Sequence, residues 1–268
     1  MKLYVQTDME GVAGIINVDD YLSPTGRYYD KAKRLVTAEV NAAIRGFIEG
    51  GFDDIVVADG HGSGALDIEQ LDPRVRMMRG WPTGWPLLLD DSYDALAFVG
   101  QHAKACTAFA HIPHTQWFGM VDLTINGISV GEYGQMVLCA NEMDIPTIFG
   151  SGDEAFCAEA KALTPWVETV SGKQGTAPGT GEELEHDAYG HSHETAIHRH
   201  PDVVHADIEK GALAAARRFH DDPGGFGRVS IKPPYKLIAK YRRVGEKPAR
   251  TVGLEHGSSI AALMNMMR

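Results

Sequence analysis

Carboxylates and imidazoles follow short apolar runs at three places near the start of the chain. Asp8 and Glu10 follow the first run in KLYVQTDMEG, Asp59 and His61 follow Ile55-Val56-Val57-Ala58 in FDDIVVADGHG, and His102 follows Ala97-Phe98-Val99-Gly100 in YDALAFVGQHA. If each run is a strand of a parallel sheet, all three sets emerge along one edge, where open α/β folds place their ligands. Such a mixture of carboxylate and imidazole suits zinc or a similar divalent metal. Asp8 and Glu10 are two apart, so in a continuing strand both would face one side, and like charges so placed are costly unless a cation neutralises them. A helix cap could explain Asp8 alone but explains Glu10 before Gly11 less well. Asp59 before Gly60 is equally an ordinary turn pair. His61 has no apolar face to join, since Gly60, Gly62, Ser63 and Gly64 surround it.

His111 and His114 lie close behind His102, in AHIPHTQWFGM. Imidazole is both the commonest metal ligand and the usual acid/base at neutral pH. Three such residues exceed what one ion needs, which leaves one for catalysis, and spacing alone does not choose it. Glu132 opens a helical stretch, where the exposed amides of a helix start favour a carboxylate with or without a metal. His186, His191, His193, His198, His200 and His205 form a tract with two HxH pairs. Adventitious metal binding, a gating loop and a solvated surface are its three readings, the last preferred. No GxSxG, HExxH, P-loop or strand-following GxGxxG occurs. Cys106, near His102 and His111, is a remote nucleophile candidate.

The elements that must position these groups alternate. Residues from about Tyr29 to Glu49 have helical apolar spacing and a Gly-Gly stop. Strands over 54–58 and 94–99 follow, separated by the turn-rich RMMRGWPTGWP, whose prolines and glycines argue against regular structure. Residues 122–130 read as a hairpin about Asn126-Gly127. GEYGQMVLCANEMD reads as a helix, and IPTIFGSGDEAFCAEAKAL as a strand, a glycine turn and a helix. The fold expected is α/β, a mainly parallel sheet flanked by helices over 1–165, with a smaller α+β C-terminal domain over 166–268. In the latter, a helix over about 203–219, one or two strands around a Pro-Pro break and a short terminal helix are expected.

The formal net charge of the 268 residues is −11, which argues against nucleic-acid and anionic-membrane partners. Cys106, Cys139 and Cys157 form no CxxC pair, pointing to a reduced, cytoplasmic protein. Met1-Lys2 leads straight into the first strand, so no signal peptide is expected, and no apolar run is long enough to cross a bilayer.

With these segments assembled, the chain resembles the DppA-type zinc D-aminopeptidases, a family whose older name is dipeptide-transport proteins. TDMEG, ADGHG, VGQHAKA, HTQWFG and SVGEYG occur in that family's order and near its spacing. The likeness covers about residues 1–165 well and the remainder loosely. It implies two Zn2+ per subunit, with Asp8 bridging, Glu10 and Glu132 completing one ion, and His61 and His102 the other. It implies His114 as the catalytic histidine, with no counterpart for His111. It further implies release of N-terminal D-residues from short peptides and a ring-like homo-oligomer, a decamer among the sizes considered. Two departures stand out: the loop from His102 to His114 is about one residue longer than the family pattern, and the histidine-rich stretch from about 180 to 201 resembles an insertion.

A dinuclear site could instead cleave a small non-peptide amide. Phosphoester hydrolysis uses similar ligands, but the strand-end loops offer few basic residues, Lys104 being the nearest. A non-catalytic peptide-binding module is the alternative of another class.

Overall fold

The computed structural model describes residues 1–80 and 84–267. In chain order its elements are β1 (Lys2–Thr7), α1 (Val18–Tyr21), α2 (Tyr29–Glu49), β2 (Asp54–Asp59), β3 (Arg76–Met78), β4 (Ala95–Gln101), β5 (Met120–Ile125), β6 (Ile128–Ser129) and α3 (Glu132–Asn141). There follow β7 (Thr147–Asp153), α4 (Glu154–Leu163), β8 (Glu168–Gly175), α5 (His186–Gly190), β9 (Ala196–His198), α6 (Pro201–Asp221), β10 (Tyr235–Tyr241), β11 (Arg250–His256) and α7 (Ile260–Asn265).

Seven strands form one sheet in the order β3-β2-β1-β4-β7-β8-β9, parallel except for β9, which runs antiparallel to β8. The expected α/β class is thus observed. Helices α2 and α6 pack together against one face, burying Val36, Val40, Ile44 and Phe47 with Ile208, Ala212 and Ala216. Gly46 lets the two helices touch: a Cβ there would lie 2.3 Å from the Glu209 carbonyl oxygen. Helices α3 and α4 cover the other face through Tyr133, Met136, Val137, Phe156 and Ala160. β1 and β4 are buried on both faces, which is why they read as continuous apolar runs.

A second, antiparallel sheet has the order β11-β10-β5-β6 and packs with α7 over Leu123, Leu237, Ala239, Ile260 and Leu263. Its hairpin turns at Asn126-Gly127, both at positive φ, as the type expected there requires.

The junction expected near residue 165 falls between α4 and β8, inside the larger sheet. The antiparallel sheet draws strands from both sides of that junction. Two local expectations change. Arg76–Met78 is an edge strand beside β2, while the Trp81–Thr83 part of that turn-rich stretch lies outside the described residues. Gly150 to Gly152 stay within β7 without turning, and Asp153 itself caps α4 by accepting from Phe156 N at 2.9 Å. Of the one or two strands expected around the Pro-Pro pair, one forms, β10, directly after it, and β11 follows. No described helix is long and apolar enough to cross a membrane.

Candidate metal centre

β1 lies between β2 and β4, and the register sets Thr7 beside both Asp59 and Val99. The three carboxyl ends are therefore level. The chain passes from β1 outward to β2 and β3, then returns to β4 on the opposite side of β1, so these ends flank the crevice where strand order reverses. Asp8, Glu10, His61 and His102 leave the sheet at this crevice. Gly100, at φ +78°, permits the approach of the two backbones, since a Cβ would stand 2.3 Å from the Asp8 carbonyl oxygen.

His114 arrives on the loop after β4, where its N–H donates to the Ala103 carbonyl at 3.3 Å. Glu132 arrives at the first turn of α3. Its carboxylate is turned inward: Oε1 accepts from Gln116 N at 2.7 Å and lies 3.5 Å from His102 Nε2. The six residues expected at the site therefore meet. Asp8, Glu10 and His61 form one group and His102, His114 and Glu132 another, with ligand-type atoms in each within 4.8 Å of one another. This sorting differs from the one the resemblance implied, because His61 stands with Glu10 and His102 with Glu132. Asp8 connects the groups, its Oδ2 being 3.3 Å from His102 Nε2.

The hydrogen bonds set the tautomers. His102 Nδ1 donates to the Ala103 carbonyl at 2.9 Å and His114 Nδ1 to the Ile112 carbonyl at 3.0 Å. In the neutral rings both Nε2 lone pairs then face carboxylates. His61 Nε2 stands 3.4 Å from Glu10 Oε1, and His114 Nε2 is 3.8 Å from Glu10 Oε1 and 3.9 Å from Glu132 Oε1. Glu10 Oε2, His61 Nδ1 and His102 Nε2 are buried without a hydrogen-bond partner. Lone pairs converging on one space repel unless a proton or metal cation occupies it. Ligands tetrahedrally arranged at zinc bond lengths would be about 3.3–3.6 Å apart, close to the shorter separations found here. The donor set fits zinc.

The electrostatics show the same conflict. Burial and the Glu10 charge push Asp8 up to about 7. Burial would lower His61, but Glu10 outweighs it and raises the ring to about 9. Glu10 is held well below the usual carboxylate range because His61 and the other imidazoles overcome its burial. His114 is lowered by burial and by the adjacent His102, whose ring stacks on it with centroids 3.9 Å apart.

The group floors a cleft of about 850 Å3, with Trp85, Leu87, Trp117, Phe118, Met136 and Met264 among its walls. His114 and Glu132 line that cleft.

Asp59 takes no part: both its carboxylate oxygens accept from Ala65 N, at 2.9 and 3.1 Å, closing the loop that carries His61. His111 also stays outside. Its Nε2 donates to the Ile16 carbonyl at 3.1 Å, and burial, with Lys173 and His198 nearby, lowers it to about 3. The thiol of Cys106 faces Arg242 Nη2 at 3.2 Å, and burial raises its pKa. The histidine tract enters neither ligand group among the described residues. His191 and His200 are exposed as the solvated reading expects, but His193 is buried and its Nε2 donates to the Gly179 carbonyl at 2.8 Å. Sequence reasoning missed Gln101, whose Nε2 donates to Asp8 Oδ2 at 3.1 Å. Its place at the end of β4, beside His102, is the signal that could have marked it.

Comparisons with known proteins bear on the family and the fold. The family Peptidase_M55, described as D-aminopeptidase, matches residues 1–250. A Bacillus subtilis (strain 168) protein named D-aminopeptidase is 32% identical over 177 residues, 65% of this chain and 64% of that protein; the match thus spans less than two thirds of the relative's length. A solved structure described as a Zn-dependent D-aminopeptidase, DppA from Bacillus subtilis, a self-compartmentalizing protease, superposes with a TM-score of 0.82 at 22% identity, covering 100% of this chain and 96% of that one. At that identity the likeness speaks for the fold alone. Because the family match runs through nearly the whole chain, the protein belongs to the D-aminopeptidase family.

Proposed function

We propose that this chain is a zinc-dependent aminopeptidase that releases N-terminal D-residues from short peptides. The observation carrying the proposal is the pair of histidine–carboxylate groups on the floor of the large cleft. Family membership and the names borne by both relatives support the choice of reaction and metal.

Asp8, Glu10, His61, His102 and Glu132 would hold two zinc ions, Asp8 standing between the pairs. A bound pair would supply a water ionised near neutral pH and a Lewis acid for the scissile carbonyl. The protein's own residues perform the remainder. Gln101 orients Asp8, the Gln116 amide orients Glu132, and the Ala103 carbonyl fixes the His102 tautomer. His114 is the acid/base: its Nδ1–H is committed to the Ile112 carbonyl, so Nε2 presents a lone pair to the cleft. Its lowered pKa keeps that nitrogen unprotonated near neutral pH, ready to take a proton from the attacking water and pass it to the leaving amine. The aromatic and aliphatic walls exclude solvent and receive an apolar side chain.

We further infer a ring-like homo-oligomer, a decamer being the size to test by light scattering, and a cytoplasmic site. The second of these rests on the sequence alone, in which Cys106, Cys139 and Cys157 make no CxxC pair.

The test is a panel of D-alanyl and L-alanyl amides with parallel metal analysis. Preferential turnover of D-alanyl peptides by protein carrying two equivalents of zinc is expected. Equal turnover of both series would remove the stereochemical assignment. Zinc loading without amide turnover would favour a binding module.

A further inference from the structure

We propose that Lys173 is a positioning residue of the metal centre, whose ammonium clamps the loop after β1 and so sets where the Glu10 carboxylate stands. The inference rests on the metal reading above.

Lys173 lies on β8, opposite Asp153 of β7, and is the single buried lysine among the described residues, 1% exposed. Removing an ammonium from water is costly unless it is paired or hydrogen-bonded. No carboxylate oxygen stands within 4 Å of it among the described residues. Its Nζ instead donates to two backbone carbonyls, those of Glu10 and, at 3.3 Å, Ile15. Both belong to the irregular segment between β1 and α1.

The Glu10 contact has a specific geometric effect. The carbonyl of Glu10 and the amide of Gly11 belong to one planar peptide unit. Gly11 N donates to the Gly100 carbonyl at 2.9 Å, while the Glu10 oxygen receives Lys173. One plane is thus pinned at both ends, by β4 on one side and β8 on the other, and with it the Cα–Cβ bond that aims the carboxylate. Other side chains grip the loop further on: Glu39 Oε1 accepts from Ala13 N at 2.9 Å, His198 Nδ1 accepts from Gly14 N at 3.1 Å, and His111 Nε2 donates to the Ile16 carbonyl at 3.1 Å. Of these four side chains, only that of Lys173 reaches Glu10. Groups hydrogen-bonded directly to a ligating side chain typically alter metal affinity 10- to 100-fold when removed; Lys173 acts through the backbone of its ligand, so the lower end of that range is expected.

The experiment titrates zinc, then cobalt(II), into metal-free Lys173→Met, Lys173→Arg and unsubstituted protein. In Lys173→Met one metal equivalent should bind about 10-fold more weakly, with an altered cobalt visible spectrum, and the other should bind unchanged. Lys173→Arg, which keeps the charge and donors, should recover part of the loss. Two equivalents at unaltered affinity, with an unaltered cobalt spectrum, would overturn the clamp whatever happens to the melting temperature. Should Lys173→Met fail to fold, 15N-lysine-labelled unsubstituted protein carries the test: the slowly exchanging ammonium signal should shift on adding zinc, and a stationary signal overturns the proposal. Failure of the unsubstituted protein to take up zinc overturns the metal reading itself, which distinguishes the two failures.

Discussion

A buried aspartate between imidazoles and a second carboxylate is tolerable only when positive charge is shared among them. Replacing Asp8 with Ala removes the group connecting the two histidine–carboxylate sets. The variant should lose tight loading of both zinc equivalents and its turnover, measured by metal analysis after dialysis; two retained equivalents with full turnover would refute the bridging role. His114→Gln is expected to behave differently. Zinc content should stay at two equivalents while kcat falls ~100- to 10,000-fold, the range for losing a positioned acid/base. Loss of a zinc equivalent in that variant would instead place His114 among the ligands, alongside His102 and Glu132. The participants at this scale were legible because each follows an apolar run, sits in the loop after one, or opens a helix. Their sorting was not, because it depends on side-chain rotation about ends that the register makes level. Asp59 shows the converse: it ends β2 in register with Thr7, one residue short of the level of Asp8, and two hydrogen bonds from one amide turn it to the loop.

The elements most visible in the sequence were those that bury apolar residues with a clear period. α2 has the bounds its spacing predicts, Tyr29–Glu49, and β1, β2 and β4 carry unbroken apolar runs over residues 3–5, 55–58 and 95–99. β8 was hidden because its buried positions include Gly172, Lys173 and Gly175 rather than aliphatic residues. β3 and β9 have three residues each, too few to display alternation. β11 is an edge strand with few apolar residues and no buried one, so its pattern is weak. The packing of α2 on α6 yields a prediction of its own. Gly46→Ala would place a methyl 2.3 Å from the Glu209 carbonyl oxygen and 2.8 Å from Leu213 N. Separating two packed helices should cost ~1–3 kcal/mol, read as a lower denaturation midpoint at unchanged m-value. An unchanged midpoint would show that the helices have room to spare.

For the molecule as a whole, Glu39 ties stability to pH. Burial raises its carboxyl to about 7, against the lowering effects of the Ala13 hydrogen bond and Lys173. Between 4.5 and 7 the folded protein holds a proton that the unfolded chain has released, so this group's contribution is present at low pH and lost as pH rises. The gap between the ordinary 4.5 and about 7 corresponds to ~3 kcal/mol. Glu39→Gln, whose amide oxygen can still accept from Ala13 N, should gain stability over the unsubstituted protein by up to that amount from pH 4.5 to 7. A difference independent of pH in denaturant titrations would refute the assignment. The division of the chain between its two sheets is also a property of this scale, and local pattern did not reveal it. Lys236 N donates to Asn126 Oδ1 across 110 positions of sequence, and β10 lies between β11 and β5. A ribosome adding about 5–20 residues per second would therefore release the β5–β6 hairpin roughly 5–20 seconds before its partner strand exists. During that interval one edge of the nascent hairpin offers unmatched amides and carbonyls to any neighbouring chain. The antiparallel sheet is thus the part of this protein whose yield in cells should respond most to translation speed and chaperone supply.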